Sequence, residues 1–431
     1  VDARATLLSL FDAAIAEADP LAPTRDELRT RLSQRSSDGR GWIIAVGKAA
    51  ARMARAARLA AADTDVELAG GLIVAHQEVH FDAPFEVVVS DHPIPSVRSR
   101  HAARRLEALT QAVLPGDHVL LTVSGGTSSL LGAPVDGVSD AAFDHLWRLL
   151  LGAGDATDVR VMNTIRRRFL RWGGGRLAAA LRGAHLHQVL LSDVVGDDPA
   201  IIGSGPAVAD ATTAAEIVEL LRAHKLSDRI DRAVLAHLHD VTAGRSPETP
   251  GPDDPIFAAM QPPTVLGRTR LHQGVERAAQ DLGLPLMVHH HPLTGDAATA
   301  GRALAHALTA AQPGLHSWTG ETTVDLGERH GRGGRAQELA LSAAHWLAQL
   351  GEAGARVTLL AAGTDGRDGP TDAAGAIVDA STVAQMQARG FAAESHLARH
   401  DAYPALDAAG ALMRTGATGT NVADIVVALV R

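Results

Sequence analysis

Short apolar runs alternate with long alanine- and leucine-rich helical stretches, and this predicts an α/β protein with parallel strands and right-handed crossovers. Its 431 residues suffice for two or three domains, at about 100 to 200 residues per domain. The 46% apolar content and 42 glycines suit strands that end in tight loops. A formal charge of -9 with 3% aromatic residues excludes a nucleic-acid binder, which needs a basic face and stacking rings. Cysteine is absent, so there is no disulfide, no thiolate metal site and no thiol nucleophile. The first twenty residues carry acids through an amphipathic pattern, without the basic start and apolar core of a signal peptide, and no apolar segment is long enough to span a bilayer. The expectation is a cytoplasmic protein with no membrane partner.

Taken in order, residues 5–18 read as an amphipathic helix ended near Pro20, and a second helix covers Arg25 to Arg35. Trp42 to Val46 reads as a strand, Gly47-Lys48 as its turn, and Ala49 to Ala62 as the following helix. Two more strands, Gly71 to His76 and Phe85 to Asp91, precede an Arg-rich helix over Val97 to Val113. The run Val119 to Val123 stops at Ser124, where S-G-G-T-S-S-L-L begins. A helix over Ala141 to Leu151 leads to the basic segment 158–181, and Val189 to Leu191 is the next strand. The proline-rich stretch 242–263 reads as a linker or excursion. It separates an expected first domain, 1–241, from a second, 264–431.

In the second part Leu286 to Val288 reads as a strand running into His289-His290-His291. Consecutive strand residues face opposite ways, so one metal cannot readily take all three histidines. A β-branched strand is expected near the start of the segment 319–339, followed by a loop with Gly331, Gly333 and Gly334 and a helix opening at Arg335. Val357 to Leu360 and Ile425 to Val430 complete the strands.

The loops carry the chemistry. Gly125 and Gly126 allow close backbone approach, and Ser124, Thr127 and Ser128 add hydroxyls, a composition that can hold phosphate without being a Walker A loop. Lys48 stands at the carboxyl end of a strand, where open α/β sheets place ligands. Asn163, Arg166, Arg167, Arg168, Arg171 and Arg176 make a dense basic patch in an acidic chain. Asp193, Asp197 and Asp198 offer the oxygen ligands that Mg²⁺ prefers. Arg332 and Arg335 with three glycines at a helix start suggest an anion site. Asp365, Asp368 and Asp372 share one glycine-rich loop. Isolated cations and clustered carboxylates at strand ends are what phosphoryl transfer requires. No G-x-S-x-G elbow or distinct acid pair favours acyl or glycosyl transfer.

With these motifs the chain resembles the class II glycerate 2-kinases, whose second half is called the MOFRL domain and whose members are sometimes labelled hydroxypyruvate reductases. The resemblance rests on G-K-A-A at 47–50, S-D-H-P-I-P at 90–95, S-G-G-T-S-S-L-L at 124–131, M-N-T-I-R-R at 162–167, G-G-R-L-A at 174–178, L-S-D-V-V-G-D-D at 191–198 and G-S-G-P at 203–206. It continues through G-E-T-T-V at 320–324, G-R-G-G-R at 331–335, A-G-T-D-G-R-D-G-P-T-D-A-A-G-A at 362–376 and T-G-T-N-V at 418–422, with the MOFRL region over about 315–424.

The resemblance implies a Rossmann-like three-layer first domain with a parallel sheet, a second α/β domain with a mixed sheet, and an active site in the cleft between them. It implies ATP-dependent, Mg²⁺-assisted phosphorylation of the 2-hydroxyl of D-glycerate, with a small-molecule substrate and a nucleotide as partners; a homo-oligomer is compatible with it. Lys48, Asp193 and Arg335 match the principal active-site residues. Glu321, Asp365 and Asn421 match the lining contributed by the second domain. Beside the resemblance, residue chemistry leads to the expectation that Ser124 to Ser128, Asn163 and Arg166 bind the nucleotide and its phosphates, and that Asp193 and Asp198 are the metal ligands.

The chain departs from the family pattern at Thr127 and Ser129 of the glycine loop, at Gly173 where lysine is common, at Ala336 where Asn is usual and at Ala417 where proline is usual. These departures leave a related hydroxy or sugar acid, such as a tetronate, open as acceptor. Two further readings are an NAD(P)H-dependent hydroxypyruvate reductase, through a relaxed fingerprint Gly331-x-Gly333-x-x-Ala336, and a ligand sensor without catalysis.

Overall fold

The computed structural model describes residues 2–35, 37–151, 159–194, 196–258, 260–326 and 330–431. Among the sequence features above, Asp158, Val195, Ala259 and residues 327–329 lie outside the described residues. Two compact units divide the chain: Pro20–Leu266, and the residues up to Asp19 together with Gly267–Arg431.

In the unit Pro20–Leu266 the apolar runs become β1 (Gly41–Val46), β2 (Leu68–Ala75), β3 (Phe85–Val89), β4 (His118–Val123), β5 (His185–Leu191) and β6 (Thr264–Leu266). They form one sheet in the order β3-β2-β1-β4-β5-β6, every neighbouring pair parallel. This is the Rossmann order, and its direction of progression reverses between β1 and β4. β4 is buried along its whole length, consistent with its unbroken apolar run and with helices on both faces. Helices Ala50–Ala62 and Val97–Ala112 follow β1 and β3.

The second unit holds β7 (Leu286–Leu293), β8 (Gly314–Gly320), β9 (Val357–Gly363), β10 (Gly375–Asp379), β11 (Leu412–Met413) and β12 (Asp424–Val430). Their order is β11-β10-β9-β12-β8-β7; β7 and β8 are parallel and the remaining pairs antiparallel, so the sheet is mixed. Helix Arg335–Gln349 is buried along most of its surface in the core beside this sheet.

Three expectations are corrected. Of the two readings of the proline-rich stretch, linker or excursion, the packing fits the excursion, which straps the first unit: Glu248 pairs with buried Arg168, Thr249 Oγ1 accepts from Arg168 Nη1 at 2.5 Å, and Ile256 and Phe257 pack on the core of the first sheet. The chain then continues as β6, which puts the unit boundary after Leu266. Helix Ala3–Glu17 does not belong to the unit that follows it in sequence. Its buried stripe Leu7, Leu10, Phe11 and Ala14 shows that it is covered, yet periodicity says nothing about what covers it. The partner is helix Thr269–Asp281, approached so closely that a Cβ on Gly274 would lie 2.4 Å from the Ala13 carbonyl oxygen. The β-branched strand expected near residue 320 is β8, which ends at Gly320; beyond it only Thr323 pairs, with Asp296, in an isolated bridge.

Candidate active site

In the unit Pro20–Leu266 Lys48, the Ser124–Ser128 loop and Asp193 follow the carboxyl ends of β1, β4 and β5, and the strand order reverses between β1 and β4. Lys48 lies one turn past β1, and its backbone N–H donates to the Gly125 carbonyl at 2.9 Å, so the β1 and β4 loops are tied together. A cation just ahead of helix Ala50–Ala62 runs against the helix dipole, so its placement there needs a reason beyond helix stability. Gly47 adopts φ +124, and a Cβ on it would meet Ser124 Oγ at 2.1 Å, which is why only glycine permits this crossing.

The glycine loop divides its labour differently from the expectation. Ser124 is fully buried, and its Oγ accepts from the Ala49 N–H at 3.0 Å. Thr127 is buried as well and donates to the Val46 and Ser124 carbonyls at 3.0 and 2.8 Å. These two hydroxyls bond to backbone and brace the corner. Ser128 Oγ lies 2.6 Å from Ser204 Oγ, joining this loop to G-S-G-P. What the loop presents is backbone: the N–H groups of Gly125, Gly126, Thr127 and Ser128 make no hydrogen bond among the described residues. Gly126 has φ +89, and a Cβ there would lie 3.0 Å from the His92 ring and 3.6 Å from Lys48 Cγ. His92, within S-D-H-P-I-P, thus belongs to this cluster; the motif was visible in sequence, whereas its nearness to Gly126 was not.

Asp193 follows β5 and is partly exposed. Asp198 is exposed, and its Oδ1 accepts from the Ala200 N–H at 2.9 Å, forming a local turn. Among the described residues no three His, Cys, Asp or Glu side chains form a cluster able to hold a metal.

The basic patch is mostly consumed within the fold. Arg167 pairs with buried Asp210 at 2.8 Å, Arg168 with Glu248, and Arg171 with Glu107 and Asp136. Arg176 donates to the carbonyls of Leu170, Gly173 and Arg168. Arg166 differs: its guanidinium lies 5.0 Å from the Trp147 ring centroid, no carboxylate among the described residues pairs with it, and burial lowers its pKa to about 10. Asn163 stands one turn earlier on helix Val159–Phe169, on the same face.

The second unit builds its cluster from charge pairs. Arg335 opens helix Arg335–Gln349 and grips Asp424 with a fork, Nε to Oδ2 at 2.6 Å and Nη2 to Oδ1 at 3.1 Å. Its Nη1 donates to Glu321 at 2.5 Å. Burial works against the charge of Arg335, yet Asp424 and Glu321 hold its pKa well above the ordinary value. The anion site expected at this helix start is filled from within: Asp368 accepts from the Gln337 and Ala336 N–H groups at 2.7 and 3.2 Å. Burial, with Asp424 nearby, raises the Asp368 pKa to about 7. Gly334 makes room, since a Cβ there would meet the Asp368 carboxylate at 2.2 Å. Asp365 Oδ1 accepts from the Arg367 N–H at 3.0 Å, and Asn421 is buried between Thr420 and Val422.

The reductase fingerprint fails on this geometry. A dinucleotide pyrophosphate would need the helix N–H groups that Asp368 occupies. A sequence reading could not single out Asp424 as the partner of Arg335, nor Asp368 as the acceptor at the helix start, because each is one acid among many and its partner lies far along the chain.

The chain matches the DUF4147 domain model, described as a domain of unknown function, over residues 6–239, and the MOFRL family model over residues 315–424. It is 30% identical to a glycerate 2-kinase of Pyrococcus horikoshii over 100% of this chain and 98% of that one, and 34% identical to a D-glycerate 2-kinase of Thermotoga maritima over 90% of each. The chain belongs to the class II glycerate kinase family. The crystal structure of the Thermotoga maritima glycerate kinase superposes with a TM-score of 0.77 at 30% identity, covering 98% of this chain and all of that one. An Agrobacterium vitis protein, provisionally named a hydroxypyruvate reductase, is 35% identical over 99% of this chain and 94% of its own length. Gly173, where the glycerate kinase pattern carries lysine, is buried, and a Cβ there would lie 2.7 Å from the Arg167 carbonyl oxygen.

Proposed function

We propose that this protein is a glycerate 2-kinase, transferring the γ-phosphoryl group of ATP to the 2-hydroxyl of D-glycerate. The observation that carries the reading is the row of four N–H groups at Gly125 to Ser128, which make no hydrogen bond among the described residues, beside Lys48 at the reversal point of a parallel sheet. Consecutive N–H donors and a lysine are a phosphate cradle. Kinship with glycerate 2-kinases supplies the acceptor.

In the reaction the 2-hydroxyl oxygen bonds to the γ-phosphorus, the bond from that phosphorus to the β–γ bridging oxygen breaks, and ADP leaves. The loop N–H groups and Lys48 hold phosphoryl oxygens. Arg335 offsets the carboxylate or phosphoryl charge, and Asp193 orients the hydroxyl and takes its proton. Asn163 and Arg166, and in the second unit Glu321, Asp365 and Asn421, complete the binding set. The partly exposed Asp193 and the exposed Asp198 carry the oxygen donors that suit Mg²⁺, which is commonly held by one or two carboxylates together with substrate phosphates and water. When bound, it would neutralise charge on the phosphoryl oxygens.

A coupled assay with D-glycerate, ATP and Mg²⁺, with the product identified as 2- or 3-phosphoglycerate, tests the reading. Formation of 2-phosphoglycerate is expected. Silence there, with NADH oxidation on hydroxypyruvate instead, would replace the kinase by a reductase; turnover only on a tetronate would keep the kinase and change the acceptor.

A further inference from the structure

Arg335 is held by two acids, and they hold it differently. Asp424 is the first residue of β12, hydrogen-bonded between β8 and β9, with a side chain only 12% exposed. Its partners directly across both neighbouring strands are glycines, Gly320 and Gly363. Directly opposed residues of antiparallel strands share a face of the sheet, so the missing side chains on either side leave a slot for the carboxylate and the guanidinium it receives. A Cβ on Gly363 would already lie 3.5 Å from Asp424 Oδ1. Glu321 lies past the end of β8, its side chain is 40% exposed, and it makes one bond to Arg335 where Asp424 makes two.

Arginine has five N–H donors, and these three bonds leave one on each terminal nitrogen. A single side-on fork fixes the plane of the guanidinium, and so fixes where the remaining donors point. A lysine or a singly bonded arginine has no such constraint.

We infer that Asp424 is the positioning residue of the reaction: it fixes the guanidinium plane of Arg335 so that the two remaining N–H groups meet an oxygen of the substrate carboxylate or the transferred phosphoryl group. Asp424 touches neither substrate; it acts through Arg335. This inference rests on the kinase reading and adds a residue to it.

The test uses the full chain with Asp424→Asn, Arg335→Ala and the double variant, assayed with D-glycerate and ATP-Mg²⁺. Asn keeps the size of the side chain but turns an N–H₂ group towards the guanidinium, breaking the fork. Misplacement of a binding group by about 1 Å costs on the order of 100-fold, so kcat of Asp424→Asn should fall about 100-fold, with KM changed far less. The double variant should be no slower than Arg335→Ala alone, because the two residues act as a unit. A wild-type kcat in Asp424→Asn, or a double variant slower than Arg335→Ala by the whole factor of the Asp424 change, overturns the inference.

If Asp424→Asn does not fold, Asp424→Glu replaces it: the charge stays, the fork moves by a methylene, and kcat should drop at least about tenfold at an unchanged melting temperature. Full activity there overturns the inference too. A readout independent of turnover is the ¹⁵N–¹H signal of Arg335 Nε, assigned by its loss in Arg335→Ala. It should be protected from exchange in the intact protein and lose that protection in Asp424→Asn; an unprotected signal in the intact protein overturns the positioning role. Should the intact protein be silent towards D-glycerate, the kinase reading fails by itself, and the Nε signal still decides whether Asp424 fixes Arg335.

Discussion

The two units carry their cations by opposite means. In Pro20–Leu266 the place of Lys48 is set by backbone: a turn after β1, an N–H to the Gly125 carbonyl, and hydroxyls of Ser124 and Thr127 spent on bracing the corner. In the second unit the place of Arg335 is set by side chains, with Asp424 and Glu321 on the guanidinium and Asp368 on the helix start behind it. A lysine ammonium carries three rotatable donors on a flexible stem, whereas a fork-held guanidinium is planar and aimed. The difference teaches that one cation is placed by the turn that carries it and the other by the acids that grip it.

Conservative substitutions sharpen that comparison. Arg335→Ala should lower kcat/KM by about 10³-fold, and Lys48→Ala by about 10²-fold, with the fold persisting in both. The contrast lies in the exchanges. Arg335→Lys should be nearly as damaging as Arg335→Ala, because a lysine cannot reproduce the Asp424 fork, whereas Lys48→Arg should keep a measurable share of activity. Steady-state kinetics of the four variants decide it. Equal retention in both exchanges would erase the distinction between a guanidinium aimed by its fork and an ammonium with rotatable donors.

Much of this was legible in the sequence. The strand ends, the glycine loops and the cations just beyond them follow from apolar runs stopped by Gly and Ser, and the family motifs named the same residues. Three things were not legible, for a shared reason. Whether Ser124 and Thr127 face a ligand or the corner depends on which neighbouring backbone lies within reach, here Ala49 and Val46. Which acids serve Arg335 depends on β12 lying beside β8 and β9, a pairing across distant segments. The home of helix Ala3–Glu17 depends on helix Thr269–Asp281, far along the chain. Local patterns specify what is buried; only the assembled fold specifies against what.

Asp368 gives a smaller test, of the side-chain strategy itself. Its folded pKa of about 7 lies above the ordinary aspartate value, because burial and the nearby Asp424 outweigh the two N–H bonds it accepts. The folded state therefore keeps a proton that the unfolded chain releases, so this group's contribution to stability is complete below about pH 4 and is lost as pH rises through about 7. Asp368→Asn removes that dependence. Urea midpoints at pH 5 and pH 7 should show the wild type losing stability relative to the variant over this interval. A constant difference would mean that Asp368 is ionised throughout and serves the helix purely as an anionic cap.

The smallest expected effect concerns Gly173, and it asks whether a departure from the family pattern belongs to the acceptor site or to the scaffold. If the lysine common there contacted the acceptor, Gly173→Lys should raise turnover of D-glycerate. The backbone argues otherwise: the position is buried behind helix Val159–Phe169, where a Cβ would press on the Arg167 carbonyl oxygen at 2.7 Å and on Leu170 Cβ at 3.1 Å. Neither neighbour can swing away freely. Arg167 is anchored by Asp210 and the Ala200 carbonyl, and the Leu170 carbonyl receives Arg176. Gly173→Lys should cost about 1–3 kcal/mol of stability, as overpacking does, with no gain in kcat/KM. Thermal unfolding and the glycerate assay on the same variant read both. A gain in activity at unchanged stability would mean that this turn opens to admit the lysine, and that position 173 belongs to the acceptor site after all.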